Sequence, residues 1–344
     1  MRFHQVRIES LAHVLPDERV PSQVLEAELA PLYERLGLVV GRLELMTGIA
    51  ERRFWPEGTR PSDAAAKAGR VALERSGVGV DQLGIIVHAA VCRDFMEPAT
   101  ASVVHHRLGL PAQCTALDLS NACIGFVNAM AMVAGLIESG QIKAGLIVAG
   151  EDGGPLVRET IAMLNRDQGM DRARLKLATA SLTIGSGAAA MVLAHESVAT
   201  SEHSLLGGTA RAATEHYELC AGDATSGSGP LMETDSDALL HAGCALAKDT
   251  FGVFLDELGW DRDSVNRLVT HQVTTTHKRV LLETLELDES KDFATVRDWG
   301  NVGSVSLPGS LSLAADQGLL APGENICLQG IGSGLHCQML GLRW

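Results

Sequence analysis

Thr115-Ala116-Leu117-Asp118-Leu119-Ser120-Asn121-Ala122-Cys123 runs straight into Ile124–Ser139, and the reading of this junction decides the fold. Thr115–Leu119 has the length and apolar content of a strand. Ile124–Ser139 keeps helical period and stops at Gly140, where a helix C-cap belongs. Ala144–Ala149 is again short and apolar, a second strand. A strand, a helix and a strand in succession argue for a parallel sheet covered by helices.

The same style continues outward in both directions. Upstream, Leu83–Val91 reads as a buried strand and Ala99–Leu108 as a helix. Downstream, Ser181–Ala194 around Gly185-Ser186-Gly187 predicts a strand pair with a tight glycine turn. Strands are expected at Leu205–Ala212, Arg267–Val273 and Asn325–Ile331, and helices at Ser236–Leu258, Thr275–Leu285 and Val305–Gln317. The second half repeats the element order of the first, though not its letters. A boundary near residues 195–205 divides the chain into halves 1–198 and 199–344. Cys220–Pro230, rich in Gly, Ser and Asp, reads as a surface loop. Asp152–Arg174, charged and compatible with helix, reads as a lid or cap.

Composition narrows the class. With 344 residues, 46% of them hydrophobic, the chain can bury more than one core of ordinary domain size. Aromatics make up only 4% while glycines number 36, which suits helices packed closely on sheets. The net charge of −14 repels nucleic-acid backbones and anionic membranes. The seven cysteines are scattered, with no CxxC pair, so neither a zinc site nor a disulfide framework is expected, and the compartment reads as reducing and cytoplasmic. Met1–Ser10 carries charge and lacks the apolar core of a signal peptide. No apolar run reaches the roughly 20 residues of a membrane span.

Three residues stand out chemically. Cys123 sits where an apolar strand hands over to a helix. The positive end of a helix dipole lowers a thiol pKa there, which suits a nucleophile; a buried apolar filler is the other reading, and it is the one that suits Cys92, Cys114, Cys244 and Cys327. His271 ends a strand, on the side where α/β proteins bind ligands, although a satisfied core histidine fits as well. Asn301, in Gly300-Asn301-Val302-Gly303-Ser304, fits a turn or N-cap asparagine equally well.

Taken in order, a cysteine after an apolar strand, a His-Gln-Val strand end and a Gly-Asn-X-Gly-Ser loop form a specific set. It resembles the Cys-His-Asn condensing enzymes of the thiolase superfamily, in the ketoacyl-ACP synthase III branch. Thr47-Gly48-Ile49 with Glu51-Arg52-Arg53, the Ile184–Ala190 glycine segment and Gly330-Ile331-Gly332-Ser333-Gly334-Leu335 are similar to further motifs of that branch. Arg93-Asp94-Phe95-Met96-Glu97-Pro98-Ala99-Thr100-Ala101-Ser102 resembles the segment that carries a catalytic glutamate in the OleA-type enzymes, which condense two fatty acyl-CoAs head to head.

The resemblance implies a five-layered α/β/α/β/α thiolase fold with two pseudo-repeated halves, acting as a homodimer on acyl-CoA substrates without a cofactor or metal. It implies Cys123 as nucleophile, the backbone N–H groups of Cys123 and Ser333 as oxyanion hole, His271 and Asn301 as enolate stabilisers, and Glu97 as a base reaching the partner's site. Glu97 also suits the start of a helix on its own account. The expected reaction is a non-decarboxylative Claisen condensation giving a β-keto product. The alternatives are decarboxylative synthesis from malonyl-ACP and acyl transfer to an alcohol or amine. Two positions depart from the branch: Arg42 stands where a tryptophan is common, and Ser186 stands where an aspartate is common.

Overall fold

The computed structural model describes residues 1–222 and 232–344. Nine strands form one mixed sheet: β1 Val6–Val14, β2 Leu83–His88, β3 Thr115–Asp118, β4 Ala144–Glu151, β5 Gly187–His195, β6 Ser204–Ala212, β7 Arg267–Thr270, β8 Asn325–Gly332 and β9 His336–Arg343. Their order is β7-β8-β9-β6-β1-β5-β4-β2-β3. The join at β1/β6 is a single ladder pair, Arg7 with Ser204.

Outward from that join the two wings match. β1/β5 and β6/β9 are antiparallel, as are β5/β4 and β9/β8, whereas β4/β2 and β8/β7 are parallel. β2 then pairs in parallel with β3, and β7 makes a parallel bridge from Leu268 to Asp292. The expected repeat of element order is therefore present as a repeat of strand direction.

Seven principal helices cover the wings: α1 Pro61–Arg75, α2 Thr100–Leu108, α3 Gly125–Glu138, α4 Gly154–Arg166, α5 Ser236–Leu258, α6 Thr275–Leu285 and α7 Ser306–Asp316. Strand alternation sorts side chains between layers. On β5, Ala189, Met191 and Leu193 face inward; Ala188, Ala190 and Ala194 face α1. The inward faces of both wings close on α3 and α7; α3 is apolar nearly all round because sheet lies on both sides of it, and α7 buries Ser306, Ser310 and Ser312 beside its leucines. The outer face of one wing holds α1 and α2, and that of the other α5 and α6. The result is helix, sheet, helix, sheet, helix.

Several expectations need correction. Ser181–Ala194 holds one strand, not a pair: Thr179–Thr183 is a 3₁₀ turn, and Ile184-Gly185 bridges instead to the Asn301 loop. Cys220–Gly222 is a short strand paired with Met232–Thr234; the rest of that expected loop lies outside the described residues. α5, at 23 residues, is long and apolar enough to cross a membrane, contrary to the sequence reading. Its face with Leu246, Phe251 and Phe254 packs on the sheet wing. Asp152–Arg174 is largely helical, as expected, and Val157, Ile161 and Leu164 of α4 join Leu25, Leu29 and Leu32 in a satellite core. Met130 is core; Met132 and Met163 pack against core clusters.

Candidate active site

Cys123 sits at a sharp turn. Ala122 has φ +46, a left-handed conformation that costs a non-glycine residue about 1 kcal/mol, and it swings the chain from β3 into α3. Asn121 braces the turn by donating from Nδ2 to Asn128 Oδ1 on α3 (2.7 Å), and Asn128 in turn donates to Gln338 of β9. A Cβ at Gly125 would lie 3.4 Å from Leu119 O and 3.7 Å from the Ala89 carbonyl, so a side chain longer than that of alanine would run into main chain where the helix begins.

Cys123, His271, Asn301 and Ser333 all line one cavity of about 390 Å³, whose walls are chiefly apolar, Leu156, Leu239, Leu240 and Ile331 among them. His271 follows β7, its N–H donating to Gln329 O on β8 (2.8 Å). Asn301 is oriented by its own loop: Oδ1 accepts from Gly303 N (3.0 Å), which leaves its amide N–H groups as the free donors. Ser333 is at the β8–β9 turn. Glu97 is exposed and does not line the cavity of its own chain; its neighbour Met96 is 93% exposed.

The electrostatics differ from the sequence expectation. Burial pushes the Cys123 thiol up to about 12, and the nearby Glu151 carboxylate and Cys220 act in the same direction. A helix N-terminus does not outweigh that desolvation. Burial, then repulsion from His277, pushes His271 down to about 4. The resting pair is thus a neutral thiol with a neutral imidazole. His271 can act as a base from about pH 5 upward and loses that capacity as pH falls through 4. Iodoacetamide alkylation of Cys123 is expected to rise about tenfold per pH unit through neutrality without a plateau; a plateau near pH 7 would reveal a preformed thiolate.

Sequence reasoning missed Glu151. It ends β4, is 4% exposed and lines the cavity. Its Oε1 accepts from Val91 N (3.0 Å), Ser304 N (3.1 Å) and Ser304 Oγ (2.7 Å), and its Oε2 from Cys92 N (3.1 Å). An acid at the C-terminal end of an otherwise apolar buried strand was the available signal, the same one that pointed to His271. Cys92 is also more than filler: it lines the cavity, with Sγ 3.6 Å from Asp152 O. Cys244 is buried on the cavity wall, while Cys114 and Cys327 are core.

The glycine segment owes its composition to close approach. Gly185 N donates to Asn301 O (2.9 Å), and a Cβ at Gly185 would lie 2.2 Å from Trp299 O. Ser186, in place of the branch's aspartate, accepts from Gly153 N (3.0 Å) and donates to Asp152 Oδ1 (3.2 Å). Gly185→Ala is expected to cost about 1–3 kcal/mol in chemical denaturation, with loss of activity as the Asn301 loop shifts.

Residues 117–211 match the 3-oxoacyl-[acyl-carrier-protein (ACP)] synthase III family, and residues 255–344 its C-terminal family. The whole chain is 40% identical to the acyl-CoA:acyl-CoA alkyltransferase of Shewanella oneidensis and 36% identical to that of Xanthomonas campestris, each covered over its full length. The chain belongs to the acyl-CoA:acyl-CoA alkyltransferase (OleA) family. Crystal structures of Xanthomonas campestris OleA, one with cerulenin bound, superpose with a TM-score of 0.95 at 34% identity, covering 100% of this chain and 98% of theirs. A 3-oxoacyl-(acyl carrier protein) synthase III from Xanthomonas oryzae pv. oryzae reaches the same TM-score at 36% identity over 100% of both chains. As an OleA-family member with this thiolase fold, the protein is a carbon–carbon bond-forming acyltransferase.

Proposed function

We propose that this protein condenses two fatty acyl-CoAs without decarboxylation, through an acyl-Cys123 intermediate. The observation that carries the proposal is the convergence of Cys123, His271 and Asn301 on one apolar cavity, with no cation free there to receive a malonyl carboxylate among the described lining residues. Lys278, which lines it, is already paired with Glu289 (2.9 Å), and Glu151 and Asp152 on the wall would repel a carboxylate.

In the first step His271 takes the Cys123 proton as sulfur attacks the thioester carbon, and the backbone N–H groups of Cys123 and Ser333 receive the oxyanion. CoA leaves with the proton. In the second step Glu97 of a second protomer removes an α-proton from the next acyl-CoA. The Asn301 amide and the His271 ring, in the tautomer that carries its proton on the cavity-facing nitrogen, hold the enolate oxygen. The carbanion attacks the acyl carbon, the Cys123 thiolate leaves and takes up the proton that Glu97 removed, and the product is a β-keto thioester that water hydrolyses to a β-keto acid and CoA. In this scheme the half 1–198 supplies nucleophile and base and the half 199–344 supplies His271 and Asn301. The scattered spacing of the seven cysteines, without a CxxC pair, supports a reducing, cytosolic setting.

The test is incubation with myristoyl-CoA alone, then with malonyl-CoA added, with products read by mass spectrometry. A β-keto acid or long-chain ketone from myristoyl-CoA alone is expected. Product only with the malonyl thioester would make the enzyme a decarboxylative synthase. Acyl-Cys123 that never condenses would make it an acyltransferase for another acceptor.

A further inference from the structure

Residues 91–99 form the arm that carries Glu97, and carboxylates hold both ends of it. At its start, Glu151 accepts from Val91 N and Cys92 N (3.0 and 3.1 Å). Further on, the Asp94 carboxylate accepts from Ser62 N (2.9 Å) and Ser62 Oγ (2.5 Å) at the head of α1, and Asp94 N donates to Thr100 Oγ1 (3.1 Å). Past its end, Asp118 on β3 accepts from Thr100 N and Ala101 N (both 2.8 Å), which closes the first turn of α2.

Beside Asp118 lies one buried side chain without partners. His88, at the end of β2, is 1% exposed, and neither ring nitrogen has a hydrogen-bond partner. Its Nδ1 stands 3.8 Å from Asp118 Oδ1, and the fields of Asp118, Glu151 and Asp94 all reach it. Burial pushes the His88 pKa down, against the pull of these carboxylates. Between its anchors the arm reaches outward: Phe95, under the Arg60 guanidinium (5.0 Å), is exposed, as are Met96 and Glu97.

We propose that Asp94 and Asp118, through their hydrogen bonds at the head of α1 and at the start of α2, are positioning residues that fix the trajectory of the Glu97 arm and so place the base in the neighbouring protomer's cavity. Glu151 extends the same bracing into its own cavity, because the oxygen that holds Val91 also holds Ser304 beside Asn301. The proposal rests on the reading of Glu97 as the base for condensation.

The experiment uses the full-length Asp118→Asn and Asp94→Asn variants with myristoyl-CoA. A rapid-quench burst of CoA reports acylation of Cys123, and steady-state β-keto product reports condensation. The burst is expected to stay within about twofold of the parent while condensation falls at least about tenfold. Co-expression of Asp118→Asn with Cys123→Ala then gives mixed dimers in which one site combines an intact nucleophile with an intact arm. Recovery of condensation in that mixture is expected, and a merely unstable fold would not produce it. Asp94→Asn provides the second reading if Asp118→Asn does not fold. Equal loss of burst and condensation, or no recovery on mixing, would overturn the positioning role. Normal condensation by Glu97→Ala would show instead that the reading of the base is wrong.

Discussion

Cys123→Ala gives a folded protein that releases no CoA from myristoyl-CoA in a single turnover and forms no condensation product. The expected loss is more than about 10⁴-fold, because every later step starts from the acyl-enzyme. The fold should persist: the change removes one sulfur from a cavity wall and leaves the strained Ala122 turn and its Asn121–Asn128 brace in place. Circular dichroism, together with intact mass after incubation with acyl-CoA, checks both halves of the result. A mass increase of one acyl group on the variant would remove Cys123 from the nucleophile role.

Glu97→Ala separates the two half-reactions. The burst of CoA should match the parent, since in this scheme His271, not Glu97, takes the Cys123 proton during acylation. Steady-state condensation should fall by about 10²–10⁴-fold, the usual contribution of a placed general base. The acyl-enzyme then accumulates and is visible by mass. Glu97→Asp keeps the charge but shortens the reach by one methylene, so partial condensation is expected. A Glu97→Ala protein that condenses normally would mean that some other group takes the α-proton.

The architecture is legible in the sequence because it rests on periodicity. Helical period and turn residues alone place α5 and α6 at their observed ends and β2, β3, β4, β6, β7 and β8 within a few residues, but they do not single out β1 or β9. The strand pair expected at Ser181–Ala194 also fails. Gly185-Ser186-Gly187 looks like a hairpin turn, but its glycines serve a close approach to Trp299 and Asn301, more than a hundred residues away in sequence. The lining of the site by Cys123, His271 and Asn301 is legible because those residue types stand in an informative order. Their protonation is not: the helix-end argument treats Cys123 as open to water, whereas the structure encloses it in the cavity wall, and desolvation dominates. Glu151 is only half legible: its place at the end of an apolar strand marks it as His271 is marked, but its four hydrogen bonds run to segments distant in sequence.

The central helices α3 and α7 have sheet on both sides, and this shapes how the chain is made. When residues 1–198 have left the ribosome, the apolar inner face of the first wing and one side of α3 still lack their cover. The second wing takes roughly ten to thirty seconds more to synthesise at ordinary translation rates. During that interval Ile124 and Val127 have no β8 to meet, and Asn128 lacks its partner Gln338 on β9. Neither wing should therefore fold as an isolated fragment, and nascent chains should depend on holdase chaperones until translation finishes. A chain split between His195 and Ser204 should become soluble only when both pieces are synthesised together.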